Sequence, residues 1–330
     1  MSSTKKYQMY VGVDIGSETA SVVWGETAEQ LETAQRIEQT IKGHRDLIKQ
    51  LTQTGYPAAD TLVVMEATST YWMQLAVRLY KAGFVVSVIN PRQAHHFAQA
   101  MLRRAKTDAL DAHTLAELAI MLQPEGWQPP GEVWEALYQR LVERDSLVEI
   151  RQRVRNQRHA LRHRHQVDKA VLARQQHLID TFESHIKTLD KEIQHWLNNS
   201  EWAQKADRLQ QIKGVGLLTA AWLLVITNGF TTCEDADQLS SYLGLVPHPQ
   251  HSGKSQHGYI PIGWGGHSRA RRVVYQAAVS AARFNSRIKS FYQHLIDRGK
   301  PVKVARCAAA RKLVHAAFAV AMNPCAPIPA

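Results

Sequence analysis

Two aspartates stand three residues apart, Asp108 and Asp111, in a stretch rich in alanine and leucine that begins Lys106-Thr107-Asp108-Ala109-Leu110-Asp111-Ala112-His113. On a helix that spacing puts both carboxylates on one face. Like charges so placed destabilise a bare helix by roughly 0.2–0.5 kcal/mol, so the pair wants a cation beside it. Two more acids close strand-like apolar runs upstream, Asp14 at the end of 7–14 and Glu66 at the end of 61–66. Open α/β sheets place their chemistry outside the carboxyl ends of strands. The fold expected is therefore one in which two strand ends meet the face of a helix.

The surrounding pattern supplies the remaining elements. Residues 20–25 read as the hairpin partner of the first strand, across a turn at Ile15-Gly16-Ser17. A helix follows over 43–54, then strand 61–66, a helix over 71–82 capped by Ser69, and an apolar strand over 84–89 stopped by Asn90-Pro91. This order makes a mixed sheet with helices packed on it. The stretch 123–131, with proline and glycine at both ends, is the clearest linker.

Beyond the linker, residues 132–197 carry one long helical pattern with almost no glycine or proline, as in a helical hairpin or coiled coil. Within it, 151–165 holds Arg151, Arg153, Arg155, Arg158, Arg162 and Arg164 and no acid. A net charge of +11 and a pI near 9.6 point to a polyanion, with nucleic acid the first candidate, so this ladder is read as a backbone-contact surface. Further on, Lys213-Gly214-Val215-Gly216 joins two apolar helical stretches as a helix-hairpin-helix, a turn that offers backbone N–H groups to phosphate. A polar loop, 250–258, carries Ser252, Lys254 and Ser255. A helix capped by Ser268 follows, with Arg269, Arg271 and Arg272 in its first turns, and the tail 323–330 is expected to be loose. Three widely spaced cysteines, Cys233, Cys307 and Cys325, imply neither disulfide nor structural zinc.

Taken in order, Gly12-Val13-Asp14-Ile15-Gly16, Val64-Met65-Glu66-Ala67-Thr68, the 106–113 run, Ile212-Lys213-Gly214-Val215-Gly216 and Ser252-Gly253-Lys254 resemble the transposases of the insertion-sequence 110 family, and the resemblance covers nearly the whole chain. It implies an α/β plus α fold: a RuvC-like, RNase H-fold domain over 1–128, a helical coiled-coil connector over 129–200, and a mostly helical transposase domain with its helix-hairpin-helix over 201–330. It further implies a DEDD tetrad of Asp14, Glu66, Asp108 and Asp111, a nucleophilic serine falling on Ser252, and a structured guide ("bridge") RNA that pairs with donor and target DNA. Where members commonly carry lysine before the glycine ahead of the arginine-bearing helix, this chain has Trp264 before Gly265-Gly266.

Four converging carboxylates need divalent cations to neutralise them, and hard oxygen ligands suit Mg²⁺. The expected function is a transposase or recombinase of a mobile element that cleaves and exchanges double-stranded DNA through a covalent phosphoserine intermediate. Expected partners are donor and target DNA, the guide RNA and further copies of the chain as a dimer or tetramer, with no membrane. The expected location is the prokaryotic cytoplasm, at the nucleoid. The alternatives are a RuvC-like nuclease or Holliday-junction resolvase without serine chemistry, a noncatalytic nucleic-acid scaffold, and an actin-like ATPase built on the Asp14-Ile15-Gly16 turn.

Overall fold

The computed structural model describes residues 7–102, 107–247, 262 and 266–328, which divide into two compact units at Pro129 and Pro130. The first is a five-stranded mixed sheet in the order β3-β2-β1-β4-β5, from β1 (Met9–Ile15), β2 (Thr19–Gly25), β3 (Gln35–Glu38), β4 (Thr61–Glu66) and β5 (Val85–Ile89). β1 pairs antiparallel with β2, which pairs antiparallel with β3, while β1, β4 and β5 run parallel. β3 escapes the hydrophobic pattern because it is a four-residue edge strand, Gln-Arg-Ile-Glu, with no buried residue.

Alternation along the strands sends two residue sets to two faces. Met9, Val11, Val13, Val63 and Met65 join one core cluster with Leu47 and Leu51 of α1 (Ile41–Gln53) and Leu75, Ala76 and Leu79 of α2 (Trp72–Lys81). Tyr10, Leu62 and Val64 join another with Leu115, Leu118 and Ala119 of α4 (Asp108–Leu122). Asn90-Pro91 both stops β5 and starts α3 (Pro91–Ala100): Asn90 accepts the Arg92 N–H at 2.9 Å and Pro91 occupies the first turn. Ser69 does not cap α2. It takes a positive φ of 52°, and Tyr71 stands at the cap position without a side-chain bond. The linker covers the exposed edge of β5, where the Trp127 N–H donates to the Val86 carbonyl at 2.6 Å and the Trp127 ring meets Trp72 edge-on at 5.3 Å.

α4 lies directly on β1. A Cβ at Gly12 would stand 2.1 Å from the Ala112 carbonyl oxygen and 2.2 Å from the Ala116 nitrogen, so only hydrogen at this position lets helix and strand backbones touch.

The second unit is helical. α5 (Glu132–Arg162) and α6 (Lys169–Asn198) form an antiparallel hairpin tied by Arg140–Glu192 at 2.8 Å and Arg144–Asp190 at 2.5 Å. Its Leu137, Leu141, Ile193 and Leu197 enter the same core as α7 (Ala203–Gln211), α8 (Leu217–Ile226), α9 (Ala236–Tyr242), α10 (Ser268–Phe284), α11 (Ser286–Asp297) and α12 (Val302–Met322). The tail is tied rather than loose: the Arg208 guanidinium donates to the carbonyls of Val320 (3.1 Å), Asn323 (2.6 Å) and Ala326 (2.6 Å). No described helix is long and apolar enough to cross a membrane, and the three cysteines are free thiols.

Replacing Gly12 by alanine is expected to destabilise the first unit by more than about 2 kcal/mol, since the added methyl meets backbone that cannot rotate away. Thermal unfolding of Gly12→Ala against the parent measures this, and an unchanged melting temperature would contradict the packing described.

Candidate active site

Three contacts fix the direction of α4 on β1. Gln123, just past its C-terminus, donates from Nε2 to the Tyr10 hydroxyl at 3.2 Å, while Ala112 and Ala116 lie over Gly12. The helix thus runs antiparallel to the strand, and its first turn stands at the carboxyl end of β1. Asp14 is two residues beyond Gly12 and so on the face that α4 covers. Val64 faces α4 as well, which places Glu66 on that face too, and the pairing of Val13 with Met65 makes Asp14 and Glu66 neighbours in register. On the helix, Asp111 precedes the buried Leu115 by one turn and Asp108 precedes the buried Ala112 by one turn. The four acids therefore share one face and one end of the sheet.

Local structure holds them there. Thr107 caps α4 by accepting the Leu110 N–H at 3.3 Å, which seats both aspartates in the first turn, where the helix dipole favours anions. The Thr68 hydroxyl donates to Glu66 Oε1 at 3.3 Å, a support that a threonine two residues past a strand-end acid hints at in sequence. Asp14, Glu66 and Asp111 are half-buried and Asp108 is exposed. As donors for a hard divalent cation the set fits in kind, four carboxylates on one face. It is not a closed ligand group: among the described residues no three of His, Cys, Asp and Glu approach as a metal centre requires. Lys106 of the same run lies outside the described residues.

In the second unit Ser252, Lys254 and Ser255 also lie outside the described residues. The base of their segment is described, and it is closed tightly. Pro247 bridges Ile262 antiparallel, the His267 N–H donates to the Tyr242 carbonyl at 3.0 Å, and Arg271 reaches the Gly244 carbonyl at 3.4 Å. Gly266, at φ 86°, packs against Gly244, where a Cβ would stand 2.5 Å from the Gly244 nitrogen. The cap of α10 is His267 and not Ser268: its Nδ1 accepts the Ala270 N–H at 3.2 Å. Histidine is an uncommon cap, so the serine beside it carries the stronger sequence signal.

The basic residues divide by partner. The 151–165 ladder lacks acids on its own helix, but Glu183 on α6 pairs with Arg155 and lies 4.0 Å from Arg151. Arg153, Arg162 and Arg164 remain exposed, and Arg158 is half-buried. Arg272 is engaged by Asp145 at 3.1 Å and Glu149 at 2.6 Å on α5, which raises its pKa. Arg269 is half-buried. In the turn between α7 and α8, Gly214 (φ 103°) faces inward, with a Cβ there standing 2.6 Å from the Ala281 Cβ, while Lys213 and Gly216 are exposed.

The chain is similar in sequence to known proteins. Residues 11–164 match a family model of DEDD transposases of the IS110 group, described as "Transposase", and residues 206–293 match the model "Transposase IS116/IS110/IS902 family". The chain is 28% identical over 316 residues to the pilin gene-inverting protein of Moraxella bovis, covering 94% of this chain and 95% of that protein. Its counterpart from Moraxella lacunata is 29% identical over 270 residues, covering 80% and 81%. The insertion element IS110 uncharacterized 43.6 kDa protein of Streptomyces coelicolor is 33% identical over 113 residues, covering 34% and 27%.

The His267 cap makes stability pH-dependent. Burial, with a smaller contribution from Arg269, holds its imidazole below the usual histidine range. The unfolded chain therefore takes up the proton first, so this contribution is complete above about pH 6.5 and is lost as pH falls from there toward the folded pKa. His44, also depressed by burial, adds in the same direction. His267→Asn retains a cap acceptor without the titration, and its melting temperature should fall less than the parent's between about pH 7.5 and pH 5.5. Equal falls would remove His267 from the account.

Proposed function

Because this chain belongs to the IS110 family of transposases and is a DNA-recombining enzyme, we propose that it cuts and rejoins DNA strands with two sets of residues, the carboxylates Asp14, Glu66, Asp108 and Asp111 and the hydroxyl of Ser252. The observation that carries the reading is the common face and end of the sheet shared by the four acids, two from adjacent parallel strands and two from the first turn of the helix laid across them. Asp14, Glu66, Asp108 and Asp111 would hold Mg²⁺, which when bound neutralises the cluster and stabilises charge on phosphodiester oxygens.

The chain's own residues do the rest. Ser252 Oγ bonds to the scissile phosphorus as the phosphorus–oxygen bond to the leaving deoxyribose breaks. The serine proton departs and the leaving oxygen gains one. The phosphoserine link conserves the bond for religation, when a hydroxyl of the new partner strand attacks and Oγ leaves. Lys254 supplies positive charge beside the phosphate. Lys213 and the N–H groups of the first turn of α8 suit DNA backbone, as does Arg269 at the start of α10. Donor and target are double-stranded DNA, and the chain acts as a dimer or tetramer. A structured guide RNA selects the sites and is held in part by Arg153, Arg158, Arg162 and Arg164 of α5 and the turn after it, the arginines of the ladder that Glu183 does not engage. The two Moraxella relatives are named for inversion of a pilin gene, and strand exchange between two sites is the chemistry proposed here.

Asp14→Asn and Asp111→Asn should each abolish strand exchange in a two-site recombination assay while cooperative unfolding is retained. Ser252→Ala should lose the covalent protein–DNA adduct seen on a denaturing gel. An adduct that persists in Ser252→Ala and disappears in Ser255→Ala would move the nucleophile, and exchange that survives both aspartate substitutions would remove the tetrad.

Replacing Arg158 and Arg162 together by glutamine should weaken binding of the element's noncoding RNA and flatten its salt dependence by about 0.7–0.9 for each phosphate no longer neutralised. Unchanged RNA affinity would leave those arginines as a solvated helix face.

A further inference from the structure

The distribution of charge points away from the arginine ladder. Residues 268–330 contain 12 of the chain's 40 lysines and arginines but a single acid, Asp297, of 29. The preceding 267 residues hold 28 of each sign, so the whole net charge of +11 lies in this last segment. Within it, α11 and α12 border a cavity of about 580 Å³, a volume in the range of small-ligand sites. The tail clasped by Arg208 supplies one wall through Ala326 and Pro327.

The lining has two parts. Ile288, Ala316, Ala319 and Val320 make an apolar floor, while Arg287, Arg311 and Lys312 bring cations to its rim beside the His315 ring. Asp237 of α9 accepts from Arg311 at 2.6 Å, which partly neutralises that arginine, and stands 3.5 Å from His315. Arg287 and Lys312 are exposed and pair with no acid among the described residues. The Lys312 ammonium lies 5.1 Å from the centre of the Phe291 ring, fixing a cation and an aromatic face at one place.

We propose that this cavity takes one unpaired nucleotide of a DNA strand, its base against Phe291 and the apolar floor and its flanking phosphates on Arg287 and Lys312. The inference rests on the recombination reading only in taking DNA as the polyanion. A flat apolar ring carrying negative charge on both sides matches both parts of the lining, which neither a bare anion nor an apolar helix does. DNA is taken as the occupant from the recombination reading, and the lining's one amide, Asn285, is wholly buried, its Oδ1 accepting the Ile288 N–H at 3.1 Å. Stacking on a ring and contact with phosphates do not distinguish bases, so binding is expected to be largely indifferent to sequence.

The test is fluorescence anisotropy with the full chain, without added metal, on a labelled 20-nucleotide poly-dT, the same length of poly-U and a 20-base-pair duplex. Arg287→Gln with Lys312→Gln should weaken poly-dT binding at least about five-fold and flatten the slope of log K against log salt by up to about 1.4, for two single-strand phosphates no longer neutralised. Phe291→Leu should weaken it about 5- to 100-fold with the slope unchanged, and Phe291→Tyr should bind as the parent does, since stacking needs a ring. Unchanged poly-dT affinity in both the double variant and Phe291→Leu overturns the proposal, and so does tighter binding of poly-U or duplex through the same residues. Because no cleavage is read, loss of strand exchange in the aspartate variants bears on the tetrad alone, and an inactive protein that still binds poly-dT through Phe291 would leave this site standing.

Discussion

Backbone contact between α4 and β1 at Gly12 is the constraint on which the first unit depends. With a separation that excludes even a Cβ, the helix is held at a fixed depth on the sheet, and its sense is set by Tyr10 at one end and by the strand terminus at the other. Everything chemically interesting follows from that depth and sense. The alanines at 112 and 116 leave room for the approach, the Thr107 cap starts the helix where β1 ends, and the first turn presents its two aspartates beside Asp14 and Glu66. A bulkier residue at any of those three small positions would lift the helix and carry its carboxylates away from the strands.

The gathering of acids opposes folding unless something offsets their repulsion. Part of the offset is built in through the partial positive charge at the helix N-terminus and the hydroxyl that Thr68 gives to Glu66.

The second unit handles its charge differently. Along the hairpin of α5 and α6, arginines find acids across the helix pair, and Arg272 of α10 is drawn to Asp145 and Glu149. Such exposed pairs contribute little to stability, about 0–1 kcal/mol each. Their larger effect is to cancel part of the field that the arginine ladder taken alone suggests, at Arg151 and Arg155, while Arg153, Arg158, Arg162 and Arg164 keep theirs and the net charge of the chain falls in residues 268–330.

Much of this was legible in the residues themselves. Apolar runs ending in acids, a proline- and glycine-marked linker and long helical periodicity depend on local spacing, and local spacing survives folding; β1, β4, β5 and α4 to α6 stand where those signals put them. What failed depends on neighbours distant in sequence. Arg151 and Arg155 lack an acid within their stretch of helix, yet one lies across the hairpin at Glu183. Ser69 and Ser268 have the composition of caps, but the path of the chain gave those roles to no side chain and to His267. The tail has the composition of a free end and is held by Arg208, more than a hundred residues earlier. The sequence by itself determined which residues are acidic, apolar or small and in what order, and hence the elements and the candidate chemistry. Only the tertiary structure decided which charges are cancelled, which glycines are pressed against backbone and which end of a helix faces which end of a strand, because each of these is set by contact distances that no spacing along the chain encodes.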